Sequence, residues 1–169
     1  MIVRRPKFGF ILCLALLAAC TVPANGGSKS AACIPGETQA PSPAGLQQVT
    51  LCLTSGATTR AFTVEIAGSS MEQAKGMMFR TGLADNMGMI FPFPQPKPAS
   101  FWMKNTVIPL DIIFVRPNGT IESIAQNTVP YSTDPVEAGE LVAAVLELRG
   151  GLTAELGIKA GDMVEWRPR

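Results

Sequence analysis

FWMKNTVIPLDIIFV, residues 101–115, follows a run with proline at every second position, PFPQPKP at 92–98. Its second half, PLDIIFV, is apolar at consecutive positions, so it reads as a strand buried on both faces of a covered sheet. The first half is harder to place. Phe101, Trp102 and Met103 run into Lys104 and Asn105 with no turn signal between them. As a strand over 100–105, alternation sends Phe101, Met103 and Asn105 to one side and Trp102, Lys104 and Thr106 to the other. Each face is then apolar at its start and polar at its end, which puts the polar end at the rim of a sheet. Ligands often bind at such a rim, and strands ordinarily end there too.

Asp111 interrupts the apolar run. A buried carboxylate without a partner is costly, so Asp111 needs a cation or hydrogen-bond donors. The candidates are Lys104, if strands 100–105 and 109–116 pair across residues 106–108, and Arg80, at the end of a predicted helix. The result is either a structural ion pair or a polar cluster of Arg80, Lys104, Asn105 and Asp111 in a cleft, with Trp102 and Thr106 beside it.

Outward from this segment the pattern is mainly β. Residues 46–53 and 60–67 alternate and form a predicted hairpin. Ser69 with Glu72 three residues later is a capping-box signature, predicting a helix over about 70–78 that buries Met71, Ala74, Met77 and Met78 and stops at Gly82 and Leu83. GMIFPF at 88–93 reads as a strand cut off by the prolines, which stiffen the following loop into a wall beside the Trp102 strand. Asn118-Gly119 is a hairpin signal leading into 120–127. Strands at 141–148 and 163–166 follow, with one helical turn between them. Short strands, tight turns and one or two small helices predict a compact β-sandwich or a partly open β-barrel.

The N-terminus predicts an address. Arg4, Arg5 and Lys7 precede an apolar run from Phe8 to Ala19, too short for a good membrane span, so residues 1–19 read as a signal peptide. Leu17-Ala18-Ala19-Cys20 resembles the lipobox of bacterial lipoproteins, which implies cleavage before Cys20 and a lipid on its sulfur. Ordinary cleavage after Ala24, giving a soluble periplasmic or secreted protein, is the alternative. Two or three acyl chains would hold the protein at the periplasmic face of a membrane, the outer one if Thr21, in place of aspartate, is read as a sorting signal. Residues 20–45, rich in Pro, Gly, Ser and Ala, read as a tether, and 46–169 as one globular domain.

Composition removes several chemistries. Without Arg4, Arg5 and Lys7 the chain keeps 11 basic residues against 13 acidic ones, with no basic patch for a nucleic acid. There are no histidines, which excludes a Ser-His-Asp triad, a Cys-His pair and imidazole metal sites. Cys33 and Cys52, in an oxidising compartment, are candidates for a disulfide; free thiols are the other reading. Met71, Met77, Met78, Met87, Met89 and Met103 are close enough in sequence to suggest a thioether Cu(I) site, but they also suit a plastic core, and no metal or cofactor is assigned.

KGMMFR, GMIFPF, FWMKNTVIPLDIIFV, the glycine hairpin, VLEL and the final Gly-Asp turn together resemble the domain of unknown function 192 family, over about residues 48–166. The matching positions are Met78, Phe79, Arg80, Gly88, Met89, Phe91, Trp102 to Thr106, Pro109 to Ile112, Phe114, Glu147 and Gly161. The resemblance implies a compact, mainly β domain of a secreted or envelope protein, and no activity.

Three functions remain. The first is a lipid-anchored module binding a partner or a small anionic or sugar ligand through Arg80, Trp102, Lys104, Asn105, Thr106 and Asp111. The second is an envelope assembly protein in which that cluster only stabilises the fold. The third, an enzyme using Lys104 or Asp111, lacks a second carboxylate or nucleophile placed by the sequence.

Overall fold

Strand-forming residues dominate the computed structural model, which describes residues 1–2 and 32–167. The elements are β1 (Thr38–Gln39), β2 (Gln48–Ser55), β3 (Thr58–Ile66), α1 (Ser70–Lys75), β4 (Met87–Lys97), β5 (Ser100–Phe101), β6 (Leu110–Val115), β7 (Ile121–Ala125), β8 (Val136–Glu137), β9 (Val142–Arg149), α2 (Leu152–Leu156) and β10 (Met163–Glu165). Eight strands form one mixed sheet in the order β1-β2-β3-β4-β9-β6-β7, with β10 also on β2. β3 and β4 run parallel and the other pairs are antiparallel. An isolated bridge between Thr120 and Met163 brings β10 against the β6–β7 hairpin without closing a barrel. The predicted mainly β, sandwich-like class is what the chain forms. The Asn118-Gly119 turn is also where expected, with Gly119 at φ 86°, a conformation glycine adopts without a Cβ clash.

The central strands are covered on both faces, as the unbroken PLDIIFV run predicts. Ile113 and Val115 join Ile90, Leu146 and Leu148 in one core with β2, β3 and β10 residues. Ile112 and Phe114 face the other way, into a second core with Met89, Phe91, Val145, Met77 and Met103. At about 25 cal/mol per Å² of apolar surface, two such cores supply the main drive for folding. Gly88 is needed for close approach: a Cβ there would lie 2.7 Å from the Glu147 carbonyl oxygen.

Several expectations are corrected. The helix is shorter than predicted: α1 ends at Lys75, and Gly76, at φ 45°, turns the chain. Its capping box forms as expected, with Glu72 N–H bonded to Ser69 and the Glu72 carboxylate accepting from Ser69 N–H. No α1 residue is buried; Met71 and Ala74 are exposed, and only Met77, beyond the helix, enters the core. β4 runs on through Pro92, Pro94 and Pro96 because proline accepts extended backbone and loses only a donor. The segment over 100–105 is not a strand of the main sheet. β5 covers two residues and pairs with β8, so Lys104 and Asp111 are not cross-strand neighbours. Part of the expected tether also packs on the domain: β1 pairs with β2, and Cys33 is disulfide-bonded to Cys52. Cys20, the expected lipidation site, lies outside the described residues.

Candidate functional site

The six residues singled out from sequence are sent to different partners. Asp111 is fully buried and faces the first core. Its Oδ1 accepts from Asn127 N–H (2.7 Å) and Gly151 N–H (2.8 Å), and its Oδ2 from Thr153 N–H and Thr153 Oγ1–H (both 2.7 Å). Gly151 has no side chain to cap α2, so Asp111 does so from a distant strand. The carboxylate is therefore matched by hydrogen-bond donors, and neither Lys104 nor Arg80 pairs with it.

Residues 102–106 form a turn held by its backbone. Met103 N–H donates to Ser132 O (2.9 Å), and Thr106 O accepts from Tyr131 N–H (3.1 Å). Asn105 O accepts from Phe79 N–H (2.9 Å). Phe79, Asn105 and Tyr131 all have positive φ, at 65°, 58° and 64°. Such backbones are uncommon outside glycine and cluster where surrounding structure over-determines them. Here they bring three loops around Trp102. Met103 fills the second core, and Thr128 donates to its sulfur. Asn105 Nδ2 reaches Met78 sulfur at 3.7 Å. Lys104 is exposed, with Nζ 5.2 Å from the centre of the Trp102 ring.

Behind this turn is a cavity of about 360 Å³, between α1 with its trailing residues, the proline end of β4 and residues 100–106. Phe91, Phe93, Phe101 and Trp102 line it with Thr106, Lys75 and Lys97. Trp102 is half exposed, at 51%. Phe101 stacks edge-on against Phe91 at 5.1 Å, which fixes the wall. The proline run contributes Phe93, Lys97 and Pro98 to the same cavity that Trp102 lines, but as a strand rather than the expected loop, and Phe93 is itself buried in the second core.

At the buried end is Glu147, on β9, 5% exposed. The strand registers place Glu65, Met89, Glu147 and Ile112 in a row across β3, β4, β9 and β6. Laterally paired residues point to one face, so two acids flank Met89 on the face of the second core. Arg80 serves one of them: its Nη2 is 2.6 Å from Glu65 Oε2, a close ion pair that lacks the alignment of a hydrogen bond. Glu147 Oε2 has no hydrogen-bond partner. Burial pushes the Glu147 carboxyl up to about 8, with the Arg80 charge pulling the other way. At neutral pH the group is chiefly a carboxylic acid, able to donate one hydrogen bond and accept another.

Of the sequence candidates, Trp102 and Thr106 line this cavity, Lys104 lies over Trp102, and Arg80 acts on its buried acid. Asn105 shapes the turn, and Asp111 is engaged elsewhere. Glu147 and Glu65 were missed as site residues, although each is a lone acid in an apolar strand, the same signal that drew attention to Asp111. Among the described residues, no group of three or more Cys, Asp or Glu is placed to hold a metal ion.

Comparison with known proteins places this arrangement in a family. No curated protein matches the chain. The structure is similar to that of a protein of unknown function from Novosphingobium aromaticivorans, 50% identical, with a TM-score of 0.74 over 83% of this chain and 100% of that one. It is also similar to a Sinorhizobium meliloti protein, provisionally described as a transcription regulator, 37% identical, with a TM-score of 0.69 over 71% of this chain and 94% of that one. The family described as uncharacterized ACR, DUF192, matches residues 51–166, a span that holds the cavity, the 102–106 turn and both buried acids. The chain is a member of the DUF192 family.

Proposed function

We propose that the protein is a small-ligand binding module of the bacterial envelope, held at a membrane by a lipid on Cys20, with its ligand in the cavity behind Trp102. The observation that carries this reading is Glu147. A buried carboxyl with an unpartnered oxygen costs stability, and it lines a cavity of the size small molecules fill. The half-exposed Trp102 gives a ligand a flat surface to stack on. In this reading the strained turn is the frame that positions Trp102, and Asp111 belongs to the fold. Membrane attachment rests on the Leu17-Ala18-Ala19-Cys20 motif alone.

Amide NMR spectra of the protein with a fragment set containing neutral, cationic and anionic members would test the site. Hits should move signals from residues 73–78, 97–102, 106 and 147 together. If fragments bind only elsewhere, or not at all, the cavity is not a ligand site. For the anchor, Cys20→Ser should release the protein from the membrane fraction; a variant that fractionates unchanged removes that part of the proposal.

A further inference from the structure

The row Glu65–Met89–Glu147–Ile112 contains two acids, and the cation that reaches it, Arg80, is paired with Glu65. Arg80 and Glu65 at 2.6 Å neutralise one another, so an ionised Glu147 would leave an uncompensated negative charge among Met77, Met89, Phe91 and Met103. An uncompensated buried charge is strongly disfavoured, and the group meets that cost by keeping its proton. The buried end of the cavity is thus neutral and offers a hydrogen-bond donor. Its charged lining residues apart from Glu147 are Lys75 on α1 and Lys97 on β4, and Lys104 sits over the Trp102 ring. The remaining elements around Glu147 present Met89, Ile112, Phe101, Trp102 and Thr106, none of them charged.

Resting on the reading of this cavity as a ligand site, we infer that it selects small organic anions, with a flat apolar body against Trp102 and Phe101 and an anionic head whose charge Lys75 and Lys97 compensate and which accepts a hydrogen bond from Glu147. Lysines at the rim attract such a ligand, and none of the lining residues repels it while Glu147 keeps its proton. An organic cation would meet lysines at the mouth and no carboxylate inside. Above about pH 8 Glu147 ionises, the donor is lost, and like charge faces the bound head.

Three probes of one shape separate the alternatives: benzoate, benzamide and benzylammonium, titrated by NMR at pH 6.5 and pH 9.5 into the protein and into Glu147→Gln. Benzoate should bind at least about tenfold more tightly than the other two at the lower pH, and lose about tenfold or more at the higher. The amide of the Glu147→Gln variant is a neutral donor of the same shape at either pH, so the variant should bind benzoate at both pH values with little change. Benzamide or benzylammonium matching benzoate would overturn the anion preference while leaving the cavity as a ligand site. A benzoate pH dependence that persists in Glu147→Gln would overturn the role of Glu147. If none of the probes shifts residues around the cavity, both the inference and the site fall.

Discussion

Asp111 and Glu147 are both buried carboxyl groups on adjacent strands, yet they occupy opposite faces of the sheet and opposite chemical situations. Asp111 is opposite Leu148, and Glu147 is opposite Ile112. Asp111 has four hydrogen bonds and organises the start of α2 and the end of β7. Glu147 Oε2 has none, and the residue lines a cavity. Burial alone does not tell an acid bound into the fold from one left without a partner. The number of donors around it does.

Removing Asp111 is the strongest test of that contrast. Asp111→Ala strands three backbone donors and one hydroxyl, and at roughly 1–3 kcal/mol for each unsatisfied group it should cost about 5 kcal/mol or prevent folding. Denaturant unfolding measures this; a loss below about 1 kcal/mol would erase the distinction.

Glu147 should behave in the opposite sense. Its pKa is about 8 folded against an ordinary 4.5, so between those values the folded chain holds a proton the unfolded chain has released. Stability therefore falls as pH rises from about 4.5 to about 8, by up to about 1.4 kcal/mol per pH unit, and this contribution levels off above that window. Glu147→Gln should remove the slope and make the variant the more stable of the two at pH 8. Thermal unfolding across pH decides it, and identical profiles would mean that Glu147 is already ionised at neutral pH.

Arg80→Gln links the two acids of the row. It leaves Glu65 buried without its cation, at a cost of about 2 kcal/mol once the 26% exposure of the Arg80 side chain is allowed for. It also removes the charge that pulls Glu147 down, so the pH window should extend upward. A fall in stability with no movement of the window would separate Arg80 from Glu147. Trp102→Ala should cost least, under about 1 kcal/mol for a half-exposed side chain, while abolishing probe binding. Retained binding would transfer the role to Phe101 and Phe91.

Much of this arrangement was readable from residues. Alternation located β2 and β3, turn signals located β7 and β10, and the apolar DIIFV run announced a sheet covered on both faces. FWMKNT misled because Trp102 and Met103 suit a strand locally, whereas backbone bonds to Ser132, Tyr131 and Phe79 fold the segment into a turn. Those partners are far along the chain, and strand periodicity carries no information about them. Asp111 was rightly read as needing partners, but amide donors from the 150–153 turn have no sequence signature, whereas lysine and arginine do. Glu147 was legible as a motif position and as a lone acid in an apolar strand, but not as a site residue. Its significance arises when three strands align it with Glu65 across Met89, a juxtaposition set by sheet order.

The proline-bearing end of β4 has a further consequence. Ile90 O accepts from Ala67 N–H on the β3 side, and Pro92 O on the same side accepts from Gln73. Beyond Ile66, β3 no longer covers that edge. An uncovered edge ordinarily recruits any extended peptide, including a second copy of the same chain. Pro92, Pro94 and Pro96 have no N–H to offer, so an incoming strand finds carbonyls with no alternating donors to complete a ladder. The cavity wall can thus stand open to solvent while refusing an incoming polypeptide strand, and the domain is spared edge-to-edge aggregation there.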